Sequence, residues 1–148
     1  MQDARKTRPD VVVGCATARD LEDMADLLAE LFALEADFRP DRAKQLAGLE
    51  LILDTPALGR LFVTRADGRV VAMANALVTV STAEGGRVLL LEDVIVGATH
   101  RRAGLGGGGG HDPRTLLADR DNAPALGFYR RLGFTGSNMT VLRKRTVA

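Results

Sequence analysis

The stretch RVLLLEDVIV, residues 87–96, limits the fold more than any other part of the chain. It is rich in leucine and β-branched residues and nearly continuously apolar. A strand of that kind belongs in the middle of a sheet with both faces covered, as in α/β proteins. Two neighbouring carboxylates, Glu92 and Asp93, interrupt it. A charge on so apolar a strand must be solvated by a cleft or paired, so this strand is also where chemistry is to be sought. Neighbours on a regular strand face opposite sides, so one of the two carboxylates at most should see a given cleft.

The flanking segments say what surrounds this strand. Residues 11–16 are a short β-branched run, read as a first strand. Over residues 17–38, Leu21, Met24, Leu27, Leu28, Leu31 and Leu34 recur at helical spacing, and Thr17 with Asp20 forms a capping pair that starts the helix near residue 18. In a second helix Asp41 is the cap, Leu46, Leu49 and Leu53 make the stripe, and Pro56 closes it. The period then changes to that of strands. Asp67-Gly68 marks a hairpin within residues 60–80, and residues 81–86 form a second turn leading into residues 87–96. Residues 115–119 are a further short strand. A helix over residues 122–133 has Asn122 as cap, Pro124 in its first turn and Gly133 at its end, and residues 134–145 close as strand. The order is β-α-α-β-β-β-(gap)-β-α-β, an α/β fold on a mixed sheet.

Composition narrows the class. The 148 residues suit one domain spanning 1–148, large enough to bury a core. Lys and Arg number 20 against 19 Asp and Glu, so nothing points to nucleic acid or to a membrane surface. No apolar run approaches the ~18 residues of a spanning helix, and the reading is a soluble cytoplasmic protein. Cys15 is the only cysteine, which excludes an internal disulfide, and its apolar surroundings predict a buried, inert thiol. His100 and His111, the only histidines, are too sparse for a metal site.

Downstream of the acidic strand, Arg101-Arg102-Ala103-Gly104-Leu105-Gly106 fits an R-x-x-G-x-G turn. Its glycines let the backbone come close to an anion and point amide N–H groups at it. Residues 104–109 also match the dinucleotide pattern G-x-G-x-x-G, but they sit late in the chain and open no helix; a nucleotide P-loop would need Gly-Lys-Ser/Thr, which is absent. Joined to the acidic strand before it and to N-x-x-A-x-x-F-Y-x-x-x-G-F after it, the turn resembles that of the GNAT superfamily of N-acetyltransferases. The match extends over nearly the whole chain, because the order of elements agrees, and it implies a GNAT-like mixed central sheet flanked by helices.

The resemblance implies acetyl-CoA as co-substrate and a small-molecule primary amine as acceptor, with the amine attacking bound acetyl-CoA directly in a ternary complex. It places the pantetheine arm against the backbone of Val94, Ile95 and Val96, and the pyrophosphate on residues 101–106, with Asn122 as a further coenzyme contact. Tyr129 becomes the acid that protonates the departing thiolate, and its pKa near 10 suits a thiol leaving group. The L-E-D pattern is similar to that of polyamine, thialysine and hexosamine-phosphate acetyltransferases, where the glutamate faces the substrate. Strict alternation puts Glu92 on the side of Val94 and Val96, so Glu92 is the expected base. Glu35 and Asp37 fall where such proteins build the substrate wall, although a solvated turn explains them as well. Relatives are often dimers, so a homodimer is the candidate assembly.

One segment departs from the pattern. The pyrophosphate turn should open a helix, yet residues 107–114 read GGGGHDPR. Glycine costs up to about 1 kcal/mol per helical position and proline breaks helices, so no helix is expected there. The expectation is a weakened anion site, and one face of the acidic strand without its cover. A non-catalytic or impaired module that binds acetyl-CoA weakly or not at all is therefore the alternative function.

Overall fold

The computed structural model describes residues 10–34, 38–101, 114–116, 123–138, 140 and 142. The chain separates into two compact units, residues 1–117 and 118–148.

The first unit is built on a five-stranded sheet in the order β1-β2-β3-β4-β5. The strands are β1 (Val11–Cys15), β2 (Gly59–Ala66), β3 (Arg69–Ser81), β4 (Gly86–Val96) and β5 (Arg114–Leu116). The first four pair antiparallel, and β5 joins β4 in parallel, so the sheet is mixed as expected. The β2–β3 hairpin turns on Asp67 (φ 50°) and Gly68 (φ 80°), the positive angles that a tight primed turn needs.

Helices α1 (Leu21–Leu34) and α2 (Arg42–Asp54) pack on the sheet. The capping pair is present: Thr17 N–H and Oγ1 donate to Asp20 Oδ2 at 2.7 and 3.1 Å, within a short 3-10 turn that leads into α1. Asp41 caps α2 by accepting from Lys44 N–H at 3.2 Å. The apolar stripe of α1 delivers Met24, Leu27 and Leu28 to a core shared with Leu49 of α2 and with Leu61, Val63, Met73 and Ile95 of the sheet. Helix α1 runs to Leu34, the last leucine of its apolar period, and Leu34 is exposed.

Two expectations are corrected. Cys15 is exposed, because among the described residues β1 is an edge strand paired only with β2, and its partner Phe62 is exposed as well. Strand β4 is central, but of its residues only Val88 and Ile95 are buried and most of the others are half-buried. Of the expected closing strand, residues 134–138, 140 and 142 are described and are not strand, and the rest lies outside the described residues. The glycine-rich segment 107–113 and the expected helix cap Asn122 lie outside the described residues.

In the second unit, α3 (Ala123–Arg131) stops as its sequence predicts. Gly133 takes φ 92°, its N–H donates to Arg130 C=O at 3.0 Å, and Phe134 N–H reaches Tyr129 C=O at 3.0 Å. That paired closure is a Schellman motif, and the Tyr129 and Phe134 rings pack edge-on at 6.0 Å across it.

Candidate active site

The centre of the site is an irregularity in β4. Asn75 pairs with Glu92 and Met73 with Ile95, so β4 spends two residues, Asp93 and Val94, opposite the single Ala74. This is a β-bulge, and Asp93 within it has φ 51°, a left-handed conformation that Asp tolerates better than most residues. The extra residue resets the alternation. Glu92 stands in register with Asn75, on the face of Ile95, and does not share a face with Val94 and Val96 as strict alternation predicted. The bulge turns Asp93 toward β3, where its Oδ2 accepts from Asn75 Nδ2 at 2.6 Å.

Asp93 and Asn75 form the polar floor of a cavity of about 300 Å³. Its walls come from α1 (Leu28, Phe32) and α2 (Gln45, Leu49, Ile52), with Phe38 from the connection between them. The volume lies at the lower end of the range for small-molecule sites. Burial pushes the Asp93 carboxyl up to about 6, helped by the adjacent Glu92 charge and opposed by the Asn75 hydrogen bond. A carboxylate of that basicity is well placed to take a proton near neutral pH. Glu92 itself does not line the cavity. The signal that could have pointed to Asp93 is its side chain, since Asp is among the few residues that accept the positive φ of a bulge.

Beyond the bulge, β4 runs to Val96, and pairing with β5 is confined to Leu89, Leu90 and Leu91. Among the described residues, Val94, Ile95 and Val96 therefore have no strand partner on the side away from β3. Gly97 closes the strand tightly against its neighbours. Its N–H donates to Val71 C=O at 2.8 Å, and a Cβ there would lie 3.2 Å from Leu27 Cδ2. Arg101 folds back on this end: Nε donates to Val96 C=O at 3.0 Å and Nη2 lies 3.6 Å from Glu30 Oε2. Glu30 Oε2 also accepts from Ala98 N–H at 3.1 Å. The Arg101 side chain thus clamps the end of β4 to α1.

Arg102, Ala103, Gly104, Leu105, Gly106, Asn122, Glu35, Asp37 and His111 lie outside the described residues. Tyr129 belongs to the second unit, where it is half-buried and burial raises its phenol above the ordinary value of 10. Among the described residues no three His, Cys, Asp or Glu side chains gather as metal ligands, and no helix is long and apolar enough to cross a membrane.

No protein-family model matches the sequence, and no curated protein matches it. Solved structures do. A possible acetyltransferase from Clostridium difficile 630 superposes with TM-score 0.78 at 17% identity, over 93% of this chain and 99% of that one. The aminoglycoside 6'-N-acetyltransferase of Acinetobacter haemolyticus gives 0.69 at 19% identity, over 93% and 99%. An aminoglycoside N-acetyltransferase in complex with CoA gives 0.74 at 18% identity, over 94% and 97%. The chain has the GNAT fold. Within this fold, the bulge at Asp93, which lines the cavity, and residues 94–96, which have no second strand partner among the described residues, follow one another along β4.

Proposed function

We propose that the chain transfers the acetyl group of acetyl-CoA to a primary amine of a small molecule, by direct attack in a ternary complex. The observation that carries this reading is the bulge: it sets a carboxyl of raised pKa into a cavity floor, one residue before a strand edge with no described partner. The amine lone pair attacks the thioester carbonyl, the C–N bond forms and the C–S bond breaks. Asp93 takes the amine proton, in place of the expected Glu92. Glu92 acts from beside it, where its charge makes Asp93 a stronger base. Tyr129 gives its proton to the departing thiolate. The backbone at Val94, Ile95 and Val96 would receive the pantetheine arm as an added strand, with an N–H near Val96 facing the acetyl oxygen. The turn at residues 101–106, with Asn122, is the proposed pyrophosphate site. Neighbours of the fold that act on aminoglycosides or bind CoA support both the coenzyme and the amine acceptor.

The test is a panel of amines incubated with acetyl-CoA and followed by release of free thiol. Release above the rate of simple thioester hydrolysis is expected for at least one primary amine. No release with any member, from a folded chain that binds acetyl-CoA, would overturn the catalytic reading.

A further inference from the structure

The end of β4 carries a polar arrangement that the proposed reaction leaves unused. Gly97 N–H donates to Val71 C=O at 2.8 Å, so Val71 and Gly97 form a hydrogen-bonded pair. In an antiparallel ladder such pairs alternate with pairs whose N–H and C=O groups point away from the partner strand. Val96, opposite Ala72, is of the second kind, and its C=O faces the open edge of β4. Arg101 Nε takes that carbonyl at 3.0 Å. Backbone open to an added strand thus ends at Val96, and a guanidinium takes over at the same point.

The guanidinium is held from α1. After Gly97 comes a short 3-10 turn, Ala98–His100, whose capping position is Gly97 itself. A side chain is crowded there, because a Cβ would lie 3.2 Å from Leu27 Cδ2 and 3.3 Å from the Val71 carbonyl oxygen. The acceptor that Ser or Asp would supply locally comes instead from Glu30, 68 positions away, whose Oε2 accepts from Ala98 N–H at 3.1 Å. The same oxygen lies 3.6 Å from Arg101 Nη2, so one carboxylate fixes both the start of the turn and the guanidinium beyond it. Its charge is balanced at that place and does not meet an incoming anion unmatched. Both side chains are half-exposed, and Arg101 Nη1 has no partner among the described residues.

Resting on the acetyl-transfer reading above, we infer that Glu30 is a positioning residue for acetyl-CoA. Through Ala98 N–H and Arg101 Nη2 it holds the guanidinium against the end of β4, with Nη1 turned out to donate to a phosphate oxygen of the coenzyme. Glu30 touches neither substrate. It acts on affinity for the coenzyme and not on the step in which bonds form and break.

Calorimetric titration of the full chain with CoA tests this without turnover. Glu30→Ala removes both contacts and is expected to weaken CoA binding about tenfold. Glu30→Gln keeps an acceptor for Ala98 N–H but removes the charge, and a loss of about threefold is expected. An exposed pair stabilises a fold little, so the ligand-free Glu30→Gln chain should melt within about 2 °C of the unaltered one. In thiol-release kinetics the loss in kcat/KM should come from KM for acetyl-CoA and not from kcat. An unaltered Kd in Glu30→Gln, tighter binding by either variant, a loss carried by kcat, or no binding of CoA by the unaltered chain would overturn the inference. So would a melting temperature lowered by about 10 °C or more in Glu30→Gln, which would make the role structural. Should Glu30→Ala not melt cooperatively, the Kd of Glu30→Gln decides alone. The two readings separate cleanly: CoA binding that depends on Glu30, without thiol release, defeats acetyl transfer alone, and thiol release with an unaltered Kd in the variants defeats the Glu30 inference alone.

Discussion

At Asp93 a positive backbone angle and a functional carboxyl coincide in one residue. Its pKa, about 6, lies above the ~3.9 of an unfolded Asp, so the native state holds the proton more tightly. Protonated Asp93 therefore favours the fold at low pH, and this benefit is lost as pH rises from about 4 through about 6; the loss is on the order of 2–3 kcal/mol. Asp93→Asn keeps an acceptor for Asn75 and tolerates the left-handed conformation while removing the charge. Its melting temperature should exceed that of the unaltered chain at pH 8 and match it near pH 4. The same variant should lose about a hundredfold or more in kcat/KM, and the kcat/KM of the unaltered chain should fall as pH drops below about 6. A flat pH profile would remove Asp93 from the proton transfer. For Tyr129→Phe we expect an unchanged Kd for acetyl-CoA with kcat reduced about a hundredfold, read by calorimetry and thiol release. Equal kcat would show that the thiolate takes its proton elsewhere.

Among the elements, the start of α1 is tied to the sheet by side chains. The buried Asp20 carboxylate accepts from Thr17 and also from Arg65 Nε at 3.0 Å and Nη2 at 2.5 Å, which joins the helix cap to β2. Burial alone would raise the Asp20 pKa, but the hydrogen bonds from Arg65 and Thr17 outweigh it and hold the carboxyl below its ordinary value. That stability is present above about pH 4 and is lost as pH falls through the lowered pKa. Asp20→Ala should destabilise the chain by about 3 kcal/mol at pH 7, because it leaves the half-buried Arg65 guanidinium unpaired, and the penalty should shrink in acid. Chemical denaturation at the two pH values measures both. The cap was legible in the spacing of Thr17 and Asp20, since capping is a contact between residues three apart; Arg65 was not, because it lies 45 residues away.

On the scale of the molecule, β4 is a central strand whose faces are only partly covered, and the residues that follow its turn are glycines, His111, Asp112 and Pro113. Acetyl-CoA at a hundred times its Kd should add about 2.7 kcal/mol to the stability of a chain with a competent site. Replacing residues 107–113 by about fourteen helix-forming residues should tighten acetyl-CoA binding at least tenfold, by supplying helix N–H groups to the pyrophosphate. Calorimetry on the two chains compares them directly. Equal affinity would show that a helix after the turn contributes nothing to the anion site.

What the sequence by itself determined is local in origin. The Asp67-Gly68 hairpin, the caps at Thr17 and Asp41, the Gly133 stop and the central place of residues 87–96 each follow from residues a few positions apart. The tertiary structure decided what depends on distant pairing. The β4 bulge exists only in register with β3, and it brings Asp93 to Asn75 and displaces the alternation that favoured Glu92. Cys15 is exposed because β1 lies at an edge, which no property of its own five residues reveals. Gln45 and Asn75, 30 positions apart, share a cavity only once α2 packs against the sheet. A strand's period predicts its faces only while the ladder is regular, and one added residue reverses every face beyond it.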